Sequence, residues 1–200
     1  MRWPNRLREG ACEAALSVSA MRRLLVLAVP FVLLSGCLTA HPPRATPVAT
    51  PVMRPEAFFL GRTTGEGTLH IRTRADRAVH VESDGRPLDD GTFRLQQTIT
   101  VEGDAPTTRT WLLRRDPSDP MRYTGTLSDA SGEVTAEVDG ALLHIRYRLG
   151  LVTTMEQWLT LQPDRRTVRN LSTVRALGVP IARLDETITR ADPLPRHADA

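Results

Sequence analysis

An antiparallel β-structure closed into an up-and-down barrel of about 8–10 short strands is the fold this sequence predicts. Three observations predict it. Apolar and polar residues alternate at period two through most of residues 57–190. Turn signals built on Gly, Asp and Pro interrupt that alternation at hairpin-length intervals. No long stretch repeats its apolar residues with the period of a helix.

Taken in order, Leu69 and Ile71 alternate with His70, Arg72 and Arg74, and Val79 and Val81 alternate with His80 and Glu82. Phe93, Leu95, Ile99 and Val101 alternate with Arg94, Gln96, Thr98 and Thr100. Leu143, Ile145, Tyr147 and Leu149 alternate with His144, Arg146 and Arg148. Each run is a strand with one apolar and one solvated face. Further strands are expected near residues 108–115, 121–129, 132–138, 153–161 and 184–190, while 169–178 reads equally as strand or short helix. Asp139-Gly140 between two alternating runs is the best two-residue hairpin signal. The glycine-rich stretch 61–67 reads as a bend before the first strand; it lacks the Lys and following helix of a phosphate loop.

Hairpin-length links favour neighbour-to-neighbour pairing, hence a barrel over a sandwich. An outer-membrane barrel would show an apolar outer face with aromatic girdles. Here one face carries many Arg, and the chain holds only 3 Trp and 2 Tyr, so the apolar face is expected to point inward.

Residues 1–20 do not resemble the start of a leader, and translation is expected to begin at Met21. Residues 21–36 read as a secretory signal: Arg22-Arg23, then an apolar run from Leu24 to Leu34, about half the length a transmembrane helix needs. Its end, Leu34-Ser35-Gly36-Cys37, resembles the bacterial lipobox, in which the Cys is lipidated and becomes the mature N-terminus. Cys37 is thus the expected lipidation site and the membrane its partner. Loss of Cys12 with the leader then leaves no thiol for disulfide or nucleophilic chemistry. Leu38 in place of Asp after the lipidated Cys points to the outer membrane, facing the periplasm. Residues 37–56, with Pro42, Pro43, Pro47, Pro51 and Pro55, read as an extended tether, and 191–200 as a disordered tail.

The charge pattern excludes a nucleic-acid surface. The chain has 26 Lys+Arg against 23 Asp+Glu, but the surplus lies before Cys37, and the remainder carries 21 of each sign. His70, His80 and His144 share the phase of Arg and Glu, so they are expected to face solvent and not a metal. No Gly-x-Ser-x-Gly is present. Asp129 and Glu156 are more readily a turn cap and a surface charge than an acid–base pair. The reading is therefore no metal, no cofactor, no catalytic residue and no enzyme. Phe93, Trp111, Tyr123, Tyr147 and Trp158 are the candidate ligand-contacting residues, with core packing the bland alternative for most of them.

Several landmarks recur in order: Phe59-Leu60-Gly61, Arg109-Thr110-Trp111, Tyr123-Thr124-Gly125 through Asp129 to Gly132, Gln157-Trp158-Leu159, Asn170-Leu171-Ser172 and Gly178-Val179. In this the chain resembles a bacterial lipoprotein family known only as a domain of unknown function. It departs at Glu156-Gln157-Trp158, where members often carry Asp-Asp-Trp, and at Gly140-Ala141, where they carry Gly-Asn-Ala. The resemblance implies a lipocalin-like (calycin) barrel with a ligand cavity, and no activity. The functional expectation is an envelope lipoprotein holding a hydrophobic or amphipathic small ligand. The alternative is an envelope assembly protein that uses the barrel exterior to bind a protein.

Overall fold

In the computed structural model, which describes residues 51–191, the alternating runs become ten strands: β1 (Gly61–Ile71), β2 (Arg77–Pro87), β3 (Phe93–Val101), β4 (Thr107–Arg115), β5 (Arg122–Leu127), β6 (Val134–Asp139), β7 (Leu142–Arg148), β8 (Thr153–Leu161), β9 (Thr167–Ala176) and β10 (Val179–Arg190). Each pairs antiparallel with its neighbour in sequence, and β1 pairs with β10, which closes the barrel. The leader, Cys37, most of the Pro-rich tether and nearly all of the expected tail lie outside the described residues. No helix among the described residues is long and apolar enough to cross a membrane.

Inward positions follow the alternation. Val134, Leu143 and Val168 are fully buried, and Leu95, Leu113, Leu127, Ile145, Leu159 and Ile188 pack with them. The β6–β7 hairpin forms one residue beyond the Asp139-Gly140 signal: Asp139 and Leu142 pair, with Gly140 and Ala141 as the loop. Stretch 169–178 resolves as strand as far as Ala176, with Leu177 and Gly178 in the turn that follows. Stretch 61–67 is no bend but the first half of β1, with Thr63, Gly65 and Gly67 in the inward phase.

One end of the barrel is plugged. A single helical turn, α1 (Pro55–Phe58), starts with Pro at its first position, where a missing N–H costs nothing. Met53, Phe58 and Phe59 around it are buried in the core, so the folded unit begins before residue 57. The Met53 amide donates to the Gly140 carbonyl at 2.8 Å. The Arg190 guanidinium donates to the carbonyls of Ala57 and Leu60. Glu56 accepts from Arg115 and, at 3.0 Å, from the Tyr123 hydroxyl. Gly85 admits the plug: a Cβ there would sit 2.0 Å from the Phe59 carbonyl oxygen. At the opposite end, bounded by the loops after β1, β3, β5, β7 and β9, the inward-phase residues Leu69, Ile71, Ile99, Val101, Val174 and Leu184 stay half-exposed and form an open mouth.

Candidate functional site

Between the plug and the mouth the inward phase stops being apolar. Gln97 on β3, Gln157 on β8, Asn170 and Ser172 on β9 and Glu186 on β10 are all buried, and Arg109 on β4 is half-buried with them. Trp111 donates its indole N–H to Gln97 Oε1 at 2.6 Å, and Arg109 Nε donates to the same oxygen at 2.8 Å. Gln97 Nε2 in turn donates to Ser83 Oγ at 3.1 Å. The Arg109 guanidinium lies 5.3 Å from the centre of the Trp111 ring, within cation–π reach. Trp111 meets Tyr147 edge-on at 5.4 Å. Across the lumen, Asn170 Nδ2 donates to Glu186 Oε2 at 2.8 Å, and Ser172 Oγ donates to Asn170 Oδ1 at 3.0 Å. Gly65 makes room for this carboxylate, since a Cβ there would lie 2.0 Å from Glu186 Oε1.

Burial pushes the Glu186 carboxyl above its ordinary range, against the bond from Asn170 and the field of Arg109. Burial likewise raises the Tyr147 phenol. The Arg109 guanidinium opposes that rise at the buried Tyr147 hydroxyl, and among the described residues Arg109 forms no ion pair. Polar groups left in this state weaken a fold, and a hydrophobic filling would serve the barrel better. Gln97, Arg109, Gln157, Asn170 and Glu186 line a cavity of about 40 Å³, whose floor is Phe93, Leu95, Leu143 and the plug's Phe59. That space takes a few water molecules or a small head group, whereas whole-ligand pockets run to roughly 300–1,000 Å³. Chemically, the set offers an anion a guanidinium that is hydrogen-bonded to Gln97 but in no ion pair among the described residues, and a carboxyl able to hold or give up a proton.

Of the sequence-derived candidates, Phe93, Trp111 and Tyr147 face this interior. Tyr123 is buried near the closed end and engaged with Glu56 and Arg115, and burial beside that carboxylate pushes its phenol up to about 12. Trp158 does not join them. It projects from the outer wall, in phase with Glu156, and stacks on His144 at 3.5 Å with 7° between the planes. His70, His80 and His144 are outward, each beside a carboxylate: Asp76, Glu66 and Glu156 respectively. Gln97, Arg109, Asn170 and Glu186 escaped the sequence reading. Their signal was parity, as Arg109 is in step with Trp111 and Leu113, and Glu186 with Ile188.

A closed meander with one plugged end, one apolar mouth and a polar shelf between them is a lipocalin-like barrel. By sequence, the chain belongs to the family described as protein of unknown function DUF3833, which matches residues 31–190. No curated protein matches it significantly in sequence. Among solved structures it is similar to the S-type phycobiliprotein lyase CPES of Guillardia theta, with a TM-score of 0.56 and 11% identity, covering 70% of this chain and 94% of that one. It is also similar to a protein of unknown function from the DUF3598 family of Nostoc punctiforme, with a TM-score of 0.49 and 18% identity, covering 74% of this chain and 53% of that one. The likeness to a lyase corrects the expectation that the chain is not an enzyme: a barrel of this architecture carries an enzyme elsewhere, so the fold gives no ground for that exclusion.

Proposed function

We propose that this chain is a barrel tethered to the cell-envelope membrane through lipidated Cys37 that takes up a small amphipathic molecule head first through its open mouth. The observation that carries the reading is the polar shelf around Arg109, set beneath half-exposed Leu69, Ile99, Val174 and Leu184. A polar or anionic head fits the small cavity, and an apolar tail fits the mouth above it. The cavity volume argues against a ligand wholly enclosed, since only a head group fits below the shelf. The Leu34-Ser35-Gly36-Cys37 sequence supports the tether.

The test is native mass spectrometry of the Cys37→Ser chain titrated with a long-chain fatty acid. One equivalent bound by this chain, and loss of that binding in Arg109→Met, supports the reading. Equal binding by Arg109→Met, or none by the parent, refutes it. Palmitate labelling in cells, present for the native chain and absent for Cys37→Ser, tests the tether.

A further inference from the structure

The rim of the open mouth is divided in composition. On the arc from β7 round to β1, the loop tips carry Leu151, Val152, Leu177 and Val179, with Ile181 just behind, all solvent-exposed; Leu151 is wholly so and Leu177 80% so. The tips are mutually braced, as the Leu177 amide donates to the Val152 carbonyl at 2.9 Å and the Arg72 amide to the Ile181 carbonyl at 3.2 Å. The same arc bears Arg72, Arg74 and Arg148, besides Arg175 paired with Glu156 at 3.7 Å, and its one nearby acid in the β1–β2 loop, Asp76, is taken by His70. The opposite arc carries Glu102 and Asp104 after β3, the latter ion-paired with Arg77 at 2.7 Å, and Asp129 and Glu133 after β5.

Leu177 breaks two local rules at once. Leu177 and Gly178 form the two-residue loop between paired Ala176 and Val179, and both have positive φ, at 50° and 81°. Such a loop favours Asn, Asp or Gly at its first position, and a leucine there is strained. A bulky apolar side chain held in a disfavoured backbone conformation and aimed at solvent does nothing for folding.

We propose that this arc docks on a bilayer surface containing anionic lipid, with Leu151, Val152 and Leu177 entering the interface and Arg72 and Arg74 pairing with lipid phosphates. Apolar tips ringed by arginine suit that partner, because burial of the tips and attraction to anionic head groups add. The acidic arc opposite turns the barrel so that the apolar arc faces the lipid. Docking in this way does not depend on the barrel's ligand, and fatty-acid binding by mass spectrometry reports on that separately.

The experiment is co-sedimentation of the Cys37→Ser chain with vesicles of phosphatidylcholine, with or without phosphatidylglycerol. Binding is expected with phosphatidylglycerol and should fall as salt rises. Leu151→Asn/Leu177→Asn should weaken it about tenfold or more, while its thermal unfolding is unchanged or higher, because Asn suits the turn. Arg72→Gln/Arg74→Gln should abolish the preference for phosphatidylglycerol. Leu112→Asn, on the far outer wall, should bind as the parent does. Absence of binding by the parent, or binding by the tip variant equal to the parent's, overturns the proposal and leaves the arc to a protein partner.

Discussion

Replacing Gly65 with alanine puts one methyl group into the space held by a buried carboxylate. The new Cβ would stand 2.0 Å from Glu186 Oε1 and 2.9 Å from its Cδ, inside any tolerable contact. Glu186 is held on its other oxygen by Asn170 and cannot swing clear without losing that bond. Loss of a hydrogen bond to a charged or buried acceptor costs about 1.5–3 kcal/mol. Against it, alanine regains about 0.5–1 kcal/mol of the entropy that glycine forfeits in a strand. The net is a destabilisation of about 1–2 kcal/mol, roughly 3–8 °C in Tm for a domain of this size. In a Glu186→Ala background the obstruction is gone and only the entropic term remains, so the sign reverses: Gly65→Ala should stabilise by about 0.5–1 kcal/mol. Urea unfolding of the four proteins of this cycle, followed by tryptophan fluorescence, measures both numbers. Equal effects of Gly65→Ala in the two backgrounds would refute the contact and with it the placement of Glu186 in the lumen.

Glu186→Gln carries a pH signature. The folded carboxyl is raised, so its stabilising contribution is complete below the unfolded value near 4.5 and is lost as pH rises through the folded value. Melts of wild type and Glu186→Gln should therefore agree in acid and diverge above pH 4.5 in favour of the variant; a constant offset contradicts the burial. Both tyrosines of the chain, Tyr123 and Tyr147, are raised above the ordinary 10.0, so ultraviolet titration should show no phenolate step at pH 10 until the protein unfolds. Leu143→Ala, at a fully buried position, should cost about 2–5 kcal/mol in urea unfolding. Arg190→Ala removes the donor to the Ala57 and Leu60 carbonyls, and should hasten amide exchange in residues 55–60 ahead of the strands.

Strands whose inward residues are apolar were readable from the chain alone, as β3 and β7 illustrate. Where the inward residues are small or polar, the alternation vanishes although the strand does not. Thr63, Gly65 and Gly67 turned the first half of β1 into an apparent bend, and Asn170 and Ser172 left β9 undecided between strand and helix. The site was hidden for the same reason: a polar shelf inside a barrel is, to a hydrophobic-periodicity reading, a defect in the pattern. Trp158 was misplaced although the parity of Leu159 and Leu161 already pointed it outward. Arg109 was not singled out, because an arginine inside a barrel runs against the usual sorting of residues. Pairing across β3 and β4 was needed to set it over Gln97 and beside Trp111.

The α1 plug makes the barrel a cup and not a pipe. Whatever enters must leave by the door it came through, so loading and unloading compete for one passage and cannot form a directional flow. For a guest bound as proposed, residence would then be set by what stands at the lip, and a surface pressed against that lip would govern exchange without touching the guest.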